Sequence, residues 1–350
     1  MTLTDFYSKH QAQLKETLYG HIDHAAQDNP IPIGAQGLSM IRETIAEGKM
    51  IRGMLVLMSA QIHGASISDE QYHAAAALEI LQAALLIHDD IADLDMTRRG
   101  APSIYSRYIT EGTKKHVSDP EHYGVSMAIW LGDLLFFLVT DIISRSVLNP
   151  EISRGILSVI SRELQYVCSA QMLDISFGLS HSIPTEDEID SVYTYKTAHY
   201  TFSLPLIVGG IFTAKHDEKT LRSIGREMGI IFQLTDDELG MFGTTEEIGK
   251  EVGSDIRENK KTLLRHLLFT HASPTDQQKL STIFGNRHIE QADITYVKER
   301  LNAYKIPQIM KSQIDKRSER VEKLLFEYKK SGNDISVLQD LLRYIINRKK

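Results

Sequence analysis

The stretch from residue 74 to 88, AAAALEILQAALLIH, constrains the fold more than any other part of the chain. It is apolar on almost every face of a helix. A helix of that kind must be covered on all sides, so it belongs in the middle of a bundle. Comparable apolar runs lie at 125–147, 153–178, 203–214 and 222–241. No segment alternates apolar and polar residues as a half-buried strand does. Pro30, Pro32, Pro102, Pro120, Pro150 and Pro184 fall between the runs, where prolines end helices. An all-α fold is therefore expected. No internal repeat or low-complexity linker divides the chain, so residues 1–350 read as a single domain. The polar stretch from Gly112 to Gly124 reads as a loop. Residues 272–292 read as a polar insertion between C-terminal helices. From Lys311 onward, charge alternating with leucine reads as one amphipathic helix.

Composition narrows the function. A net charge of -7 and a pI near 6.1 disfavour a general nucleic-acid binder. Cys168 is the single cysteine, so no intrachain disulfide can form, which fits a reducing cytosol. The N-terminus MTLTDFYSKHQAQLKE lacks the basic patch and apolar run of a signal peptide. The apolar stretch Ile129–Val139 is interrupted by Gly132 and Asp133 and reads as too short to span a bilayer. A cytoplasmic protein without a transmembrane segment is the expectation. Arg343, Arg348, Lys349 and Lys350 read as a solvated basic tail.

The chemistry begins where the apolar helix ends, at His88-Asp89-Asp90-Ile91-Ala92-Asp93-Leu94-Asp95. Asp89 and Asp93 are i and i+4 and share one helix face. Neighbouring carboxylates repel, and hard cations with oxygen ligands relieve that repulsion. Mg²⁺ commonly takes one or two carboxylates together with water and phosphate oxygens. A solvated acidic helix end has the same short pattern, so the context matters. Arg98, Arg99 and Gly100 follow at once, and guanidinium groups hold phosphates bidentately. A second Asp pair ends another apolar helix in Phe232-Gln233-Leu234-Thr235-Asp236-Asp237. Two such ends facing each other would line a cleft with carboxylates. Basic residues recur at Lys49 and Arg52, at Lys196 beside Thr197, at Gly249-Lys250, and at Lys260 and Lys261. Neither Gly-Lys pair has the spacing of a P-loop, and no GxGxxG occurs, so nucleotide binding is not indicated.

Taken together, GKMIR from Gly48, DDIAD with RRG, KTA from Lys196, FQLTDD and GSDIRENKKT resemble the trans-isoprenyl diphosphate synthase (polyprenyl synthetase) family. The motifs occur in family order from Gly48 to Thr262. The resemblance implies an antiparallel bundle of ten or more helices around a central cleft. It implies a Mg²⁺-dependent enzyme, with three ions per site and Mn²⁺ able to substitute. By resemblance, Asp89, Asp93 and Asp236 are metal ligands, with Asp90 and Asp237 supporting them. Arg98 is similar to an arginine that binds the allylic diphosphate. Lys49, Arg52, Gln82 and Arg99 resemble an isopentenyl diphosphate pocket. Lys196, Thr197, Gln233, Lys250 and Lys260 resemble residues around the allylic diphosphate, with Gln171 and Asp174 in support.

The implied reaction is condensation of isopentenyl diphosphate with an allylic diphosphate, usually in a homodimer. Position 240 departs from the family pattern: glycine stands where the second motif often has aspartate. In this family the residues one turn before the first aspartates influence product length. Ala84, with Leu85 and Leu81, leaves room for a C20 product, geranylgeranyl diphosphate. The other readings are a C15 or longer-chain synthase, a non-catalytic partner subunit and a class I terpene cyclase.

Overall fold

The computed structural model describes residues 1–45, 48–180, 183–213, 216–243 and 252–348. Lys250, with Lys349 and Lys350, lies outside the described residues. Helices dominate as expected. Among the described residues the only strands are Thr97–Arg98 (β1) and Ala101–Pro102 (β2).

The residues cluster into two compact units interleaved along the chain. The first holds Met1–Ser161, Leu204–Leu221 and Asn333–Leu338. Its helices are α1 (Leu3–Asp28), α2 (Pro32–Ile45), α3 (Ile51–Ile62), α4 (Asp69–Asp93), α5 (Ile104–Lys114), α6 (Pro120–Ser146) and the first turns of α7 (Pro150–Leu179). The short α9 (Leu204–Ile211) also belongs here.

Helix α4 is the predicted all-apolar helix, and Ala74 to Leu81 are almost wholly buried. It starts where Gln71 reaches back to the Ser68 backbone N–H at 2.8 Å. It stops at Leu94, whose φ of 58° is left-handed. Helices α1, α3 and α6 pack against it. Glycines permit the close approaches. A Cβ at Gly132 of α6 would meet the His88 ring at 2.6 Å, and one at Gly209 of α9 would meet the Val56 carbonyl oxygen at 2.2 Å.

The second unit holds Arg162–Ser203, Arg222–Gly332 and Gln339–Lys350. It contains the rest of α7, then α8 (Glu186–Val192) and a π-helix at Tyr193–Ser203. Most of α10 (Glu218–Phe242) follows, then α11 (Ser254–Arg257), α12 (Leu263–His271), α13 (Pro274–Ile283), α14 (Gln291–Ala303), α15 (Ile306–Lys330) and most of α16 (Ser336–Ile346). Two glycines press α10 onto the π-helix. A Cβ at Gly229 would lie 2.3 Å from the Ala198 Cα, and one at Gly225 would lie 2.5 Å from the Ser203 Cα.

Three expectations change. Residues 112–124 are mostly helix: α5 runs to Lys114, and α6 starts at Pro120 under the Asp119 cap. The polarity came from capping and solvated turns. The 272–292 segment contains helix α13, capped by Ser273 and carrying buried Leu280 and Ile283. The C-terminal helix is two helices, broken at Gly332 with φ of 90°. In addition, α6 extends well beyond Ile129–Val139. It is long and apolar enough to cross a membrane by length and composition alone, yet it packs against α4 and α5.

Candidate active site

In the first unit, the end of α4 presents Asp89 and Asp93, both half-buried, around Asp90, which is buried. Arg98 closes over this end. Its Nε donates to Asp90 at 2.5 Å, its Nη2 also meets Asp90, and the same Nη2 lies 3.5 Å from both Asp89 and Asp95. Burial pushes the Asp90 carboxyl up to about 6, and Arg98 works against that rise. The β1–β2 hairpin sets the arginine: Arg98 pairs with Ala101, and Arg99 and Gly100 make the two-residue turn. Both turn residues have positive φ, 54° and 77°, the geometry that a tight hairpin needs.

The same turn carries Arg99 toward the first basic motif. Its Nη1 lies 3.4 Å from where a Cβ on Gly48 would stand. Arg52 opens α3, and Gly53 donates its N–H to Glu79 of α4 at 2.7 Å. Glu79 is 7% exposed, so burial raises its pKa, against which Arg52, the Gly53 N–H and Arg99 hold the charge. Glu79 therefore ties together the basic residues of two motifs. The sequence reading missed it, although a lone acid inside an apolar helix was the available signal. Gln82 lies one turn further on, half-buried. On α4, Ala84 and Leu81 are fully buried and Leu85 is half-buried. His88 stacks on Phe136, with centroids 5.6 Å apart and planes at 11°, in a packing role.

In the second unit, the π-helix and α10 join a second set. Thr197 Oγ1 donates to Gln233 at 2.8 Å, and Gln233 Nε2 donates to Asp237 at 2.8 Å. Tyr193 donates to the other Asp237 oxygen and itself accepts the Leu263 N–H at 2.8 Å. Asp237 is 5% exposed, and burial drives its carboxyl up to about 8 despite these donors. Lys196 Nζ sits 2.6 Å from Asp174. Gln171 is half-buried one turn before Asp174 on α7. Lys260 lies 2.9 Å from Glu258 and 3.9 Å from Asp255.

Asp236 is partly exposed and pairs with Arg348 at 2.8 Å. The Arg348 guanidinium lies 4.4 Å from the Phe232 ring centre. Arg348 is only 17% exposed, so the expectation of a solvated tail fails for this residue. An aromatic face and a carboxylate hold it, and nothing in the local sequence announces either. At Gly240, a Cβ would stand 3.2 Å from the Asp255 carboxylate. Asp255 thus brings a carboxylate close to the position where the motif lacks one.

The donor set suits Mg²⁺. Asp89, Asp93 and Asp236 are hard oxygen donors, and in both units a guanidinium already supplies positive charge beside them. Among the described residues no three acidic, histidine or cysteine side chains form a closed cage.

A helical protein whose helix ends carry aspartate pairs beside arginines and lysines has the equipment of a diphosphate-handling enzyme. The polyprenyl synthetase family model matches residues 37–301. The geranylgeranyl diphosphate synthase of Saccharolobus solfataricus is 31% identical over 258 residues, covering 73% of this chain and 72% of that protein. A short chain isoprenyl diphosphate synthase of Methanocaldococcus jannaschii is also 31% identical, over 71% of each. A crystal structure of the Corynebacterium glutamicum geranylgeranyl pyrophosphate synthase, complexed with isoprenyl diphosphate and magnesium, superposes with a TM-score of 0.88. It is 27% identical, with 100% of both chains covered. The chain belongs to the polyprenyl synthetase family, and it is a trans-prenyltransferase.

Proposed function

We propose that this enzyme condenses isopentenyl diphosphate head-to-tail with allylic diphosphates, using Mg²⁺, and gives mainly geranylgeranyl diphosphate. The observation that carries this reading is the Arg98 clamp. It fixes a guanidinium against Asp90, beside the two carboxylates assigned to metal. Asp89, Asp93 and Asp236 would hold three Mg²⁺ ions, and Mn²⁺ would serve in their place. Asp255 adds a carboxylate near Gly240. Bound Mg²⁺ supplies Lewis-acid stabilisation of the departing diphosphate.

The chain's own residues do the rest. Arg98, Lys196, Thr197, Gln233 and Lys260 bind the allylic diphosphate and stabilise the charge that grows as its C–O bond ionises. Lys250 joins them by its motif. Lys49, Arg52, Gln82 and Arg99 hold isopentenyl diphosphate, whose alkene attacks the allylic carbon, and the resulting tertiary cation loses its C2 proton to the released diphosphate. Glu79 positions the arginines. The apolar side chains of α4 exclude water that would quench the cation. Ala84 leaves the room for a C20 chain.

In this reading residues 1–350 are one catalytic domain, in a homodimer. Trp130 and Phe137, 72% and 74% exposed and seven residues apart on α6, supply an apolar face for a second copy. A cytosolic location goes with it.

The test is incubation of the purified chain with Mg²⁺, isopentenyl diphosphate and each of the C5, C10 and C15 allylic diphosphates. Elongation ending at C20 is expected. A dominant C15 or C30 product overturns the length assignment. No elongation from a folded sample favours the partner-subunit reading.

A further inference from the structure

Several half-buried arginines of this protein face a carboxylate. Arg98 meets Asp90, Arg222 meets Glu163, and Arg317 meets Asp190 and Glu227. Lys261 and Arg265 depart from that pattern. They are 8% and 7% exposed, and among the described residues neither has a carboxylate partner. Both stand at the start of α12: Lys261 directly before the capping Thr262, Arg265 in the first turn. The Arg265 guanidinium is stacked against Phe269 at 4.3 Å and Phe284 at 5.1 Å, and its buried Nε has no hydrogen-bond partner. Lys260 turns instead to Glu258 and Asp255, so the adjacent lysines serve different places.

Burying like charges without a counter-charge is costly. Burial first, and then Arg265, brings the Lys261 ammonium down to about 8. Burial alone brings Arg265 down to about 10. The partial positive charge of a helix N-terminus adds to the same spot. The Leu263 and Arg265 N–H groups already donate to Tyr193 and Thr262, so the charge to be met is that of the two side chains and the helix dipole.

We propose that Lys261, Arg265 and the N-terminus of α12 form a second anion site, for a phosphate-class dianion, distinct from the residues assigned to condensation. The stacked guanidinium offers Nε–H from a fixed plane, and lysine adds a point charge. That pairing suits a tetrahedral phosphorus oxyanion. Two full positive charges favour a dianion over a single carboxylate. The ligand is free phosphate or diphosphate, or the diphosphate end of an isoprenoid.

The test uses the full chain in EDTA, so that metal-dependent binding is silent. Inorganic phosphate, inorganic diphosphate and geranyl diphosphate are titrated by calorimetry into the wild type, Lys261→Met and Arg265→Met. The expected result is saturable binding that weakens tenfold or more in both variants. Lys316→Gln, at an exposed position of α15, should bind inorganic phosphate as the wild type does. Tightest binding of an inorganic probe assigns the site to free anion, and of geranyl diphosphate to an isoprenoid head group. Absence of saturable binding, or equal binding in the variants, overturns the proposal. If the variants fail to fold, wild-type crystals soaked in selenate decide it. An anomalous peak between Lys261 and Arg265 sustains the site, and no peak there overturns it.

Discussion

The two Asp-Asp helix ends look alike in sequence and are built differently. At the end of α4, the buried member, Asp90, is neutralised by a full charge from Arg98, only eight residues away. At the end of α10, the buried member, Asp237, is met by Tyr193 and Gln233, both neutral. The exposed neighbour there, Asp236, takes its cation from Arg348, more than a hundred residues on. The first end is thus a charged clamp made locally. The second is a neutral hydrogen-bond relay that long-range packing assembles. Burial raises the pKa in both, to about 6 and about 8, and the higher value belongs to Asp237, whose hydrogen-bond partners are neutral.

The sharpest way to break this comparison is to remove one metal carboxylate from each end. Asp89→Asn and Asp236→Asn should each lower kcat by about a thousandfold or more, as loss of transition-state charge stabilisation does. A small effect at Asp236 alone would show that Asp255 has taken over its role. Next comes stability. Arg98→Gln leaves Asp90 buried without its cation and should cost about 3 kcal/mol in denaturant unfolding. Tyr193→Phe removes one neutral donor from Asp237 and should cost about 1–2 kcal/mol. Equal losses would abolish the distinction between clamp and relay.

Gly229→Ala tests the packing that assembles the second end. Its Cβ would press on Ala198, so a loss of about 1–3 kcal/mol is expected, with a fall in kcat as Lys196 and Thr197 shift. Full activity would separate the π-helix from the chemistry. Ala84→Phe probes the apolar body behind the first end and should shorten the main product from C20 to C15. An unchanged product would place the length control elsewhere. The smallest effect belongs to Arg348→Gln. Freed of its guanidinium, Asp236 should bind Mg²⁺ about twofold to fivefold more tightly, the worth of a partly exposed pair. Weaker Mg²⁺ binding would mean that Arg348 assists the metal site.

The sequence by itself determined the helical class, because a run such as Ala74–Leu86 has no solvent-facing side and must be enclosed. It determined the spacing of Asp89 and Asp93, since 3.6 residues per turn places them on one face whatever packs nearby. It also marked Arg98 by its closeness in sequence to the aspartates, whereas the hairpin that returns it to the carboxylates is a feature of the structure. Tertiary structure decided what depends on distant partners. Glu79 acquires its purpose only when α3 lies against α4. Arg348 becomes part of the second motif only when the C-terminus folds back on Phe232. The π-register of Lys196 and Thr197 accompanies the approach of Gly225 and Gly229, which no local propensity encodes. Hydrophobic periodicity is a short-range signal carried by each helix alone, whereas the state of a buried charge depends on everything packed around it.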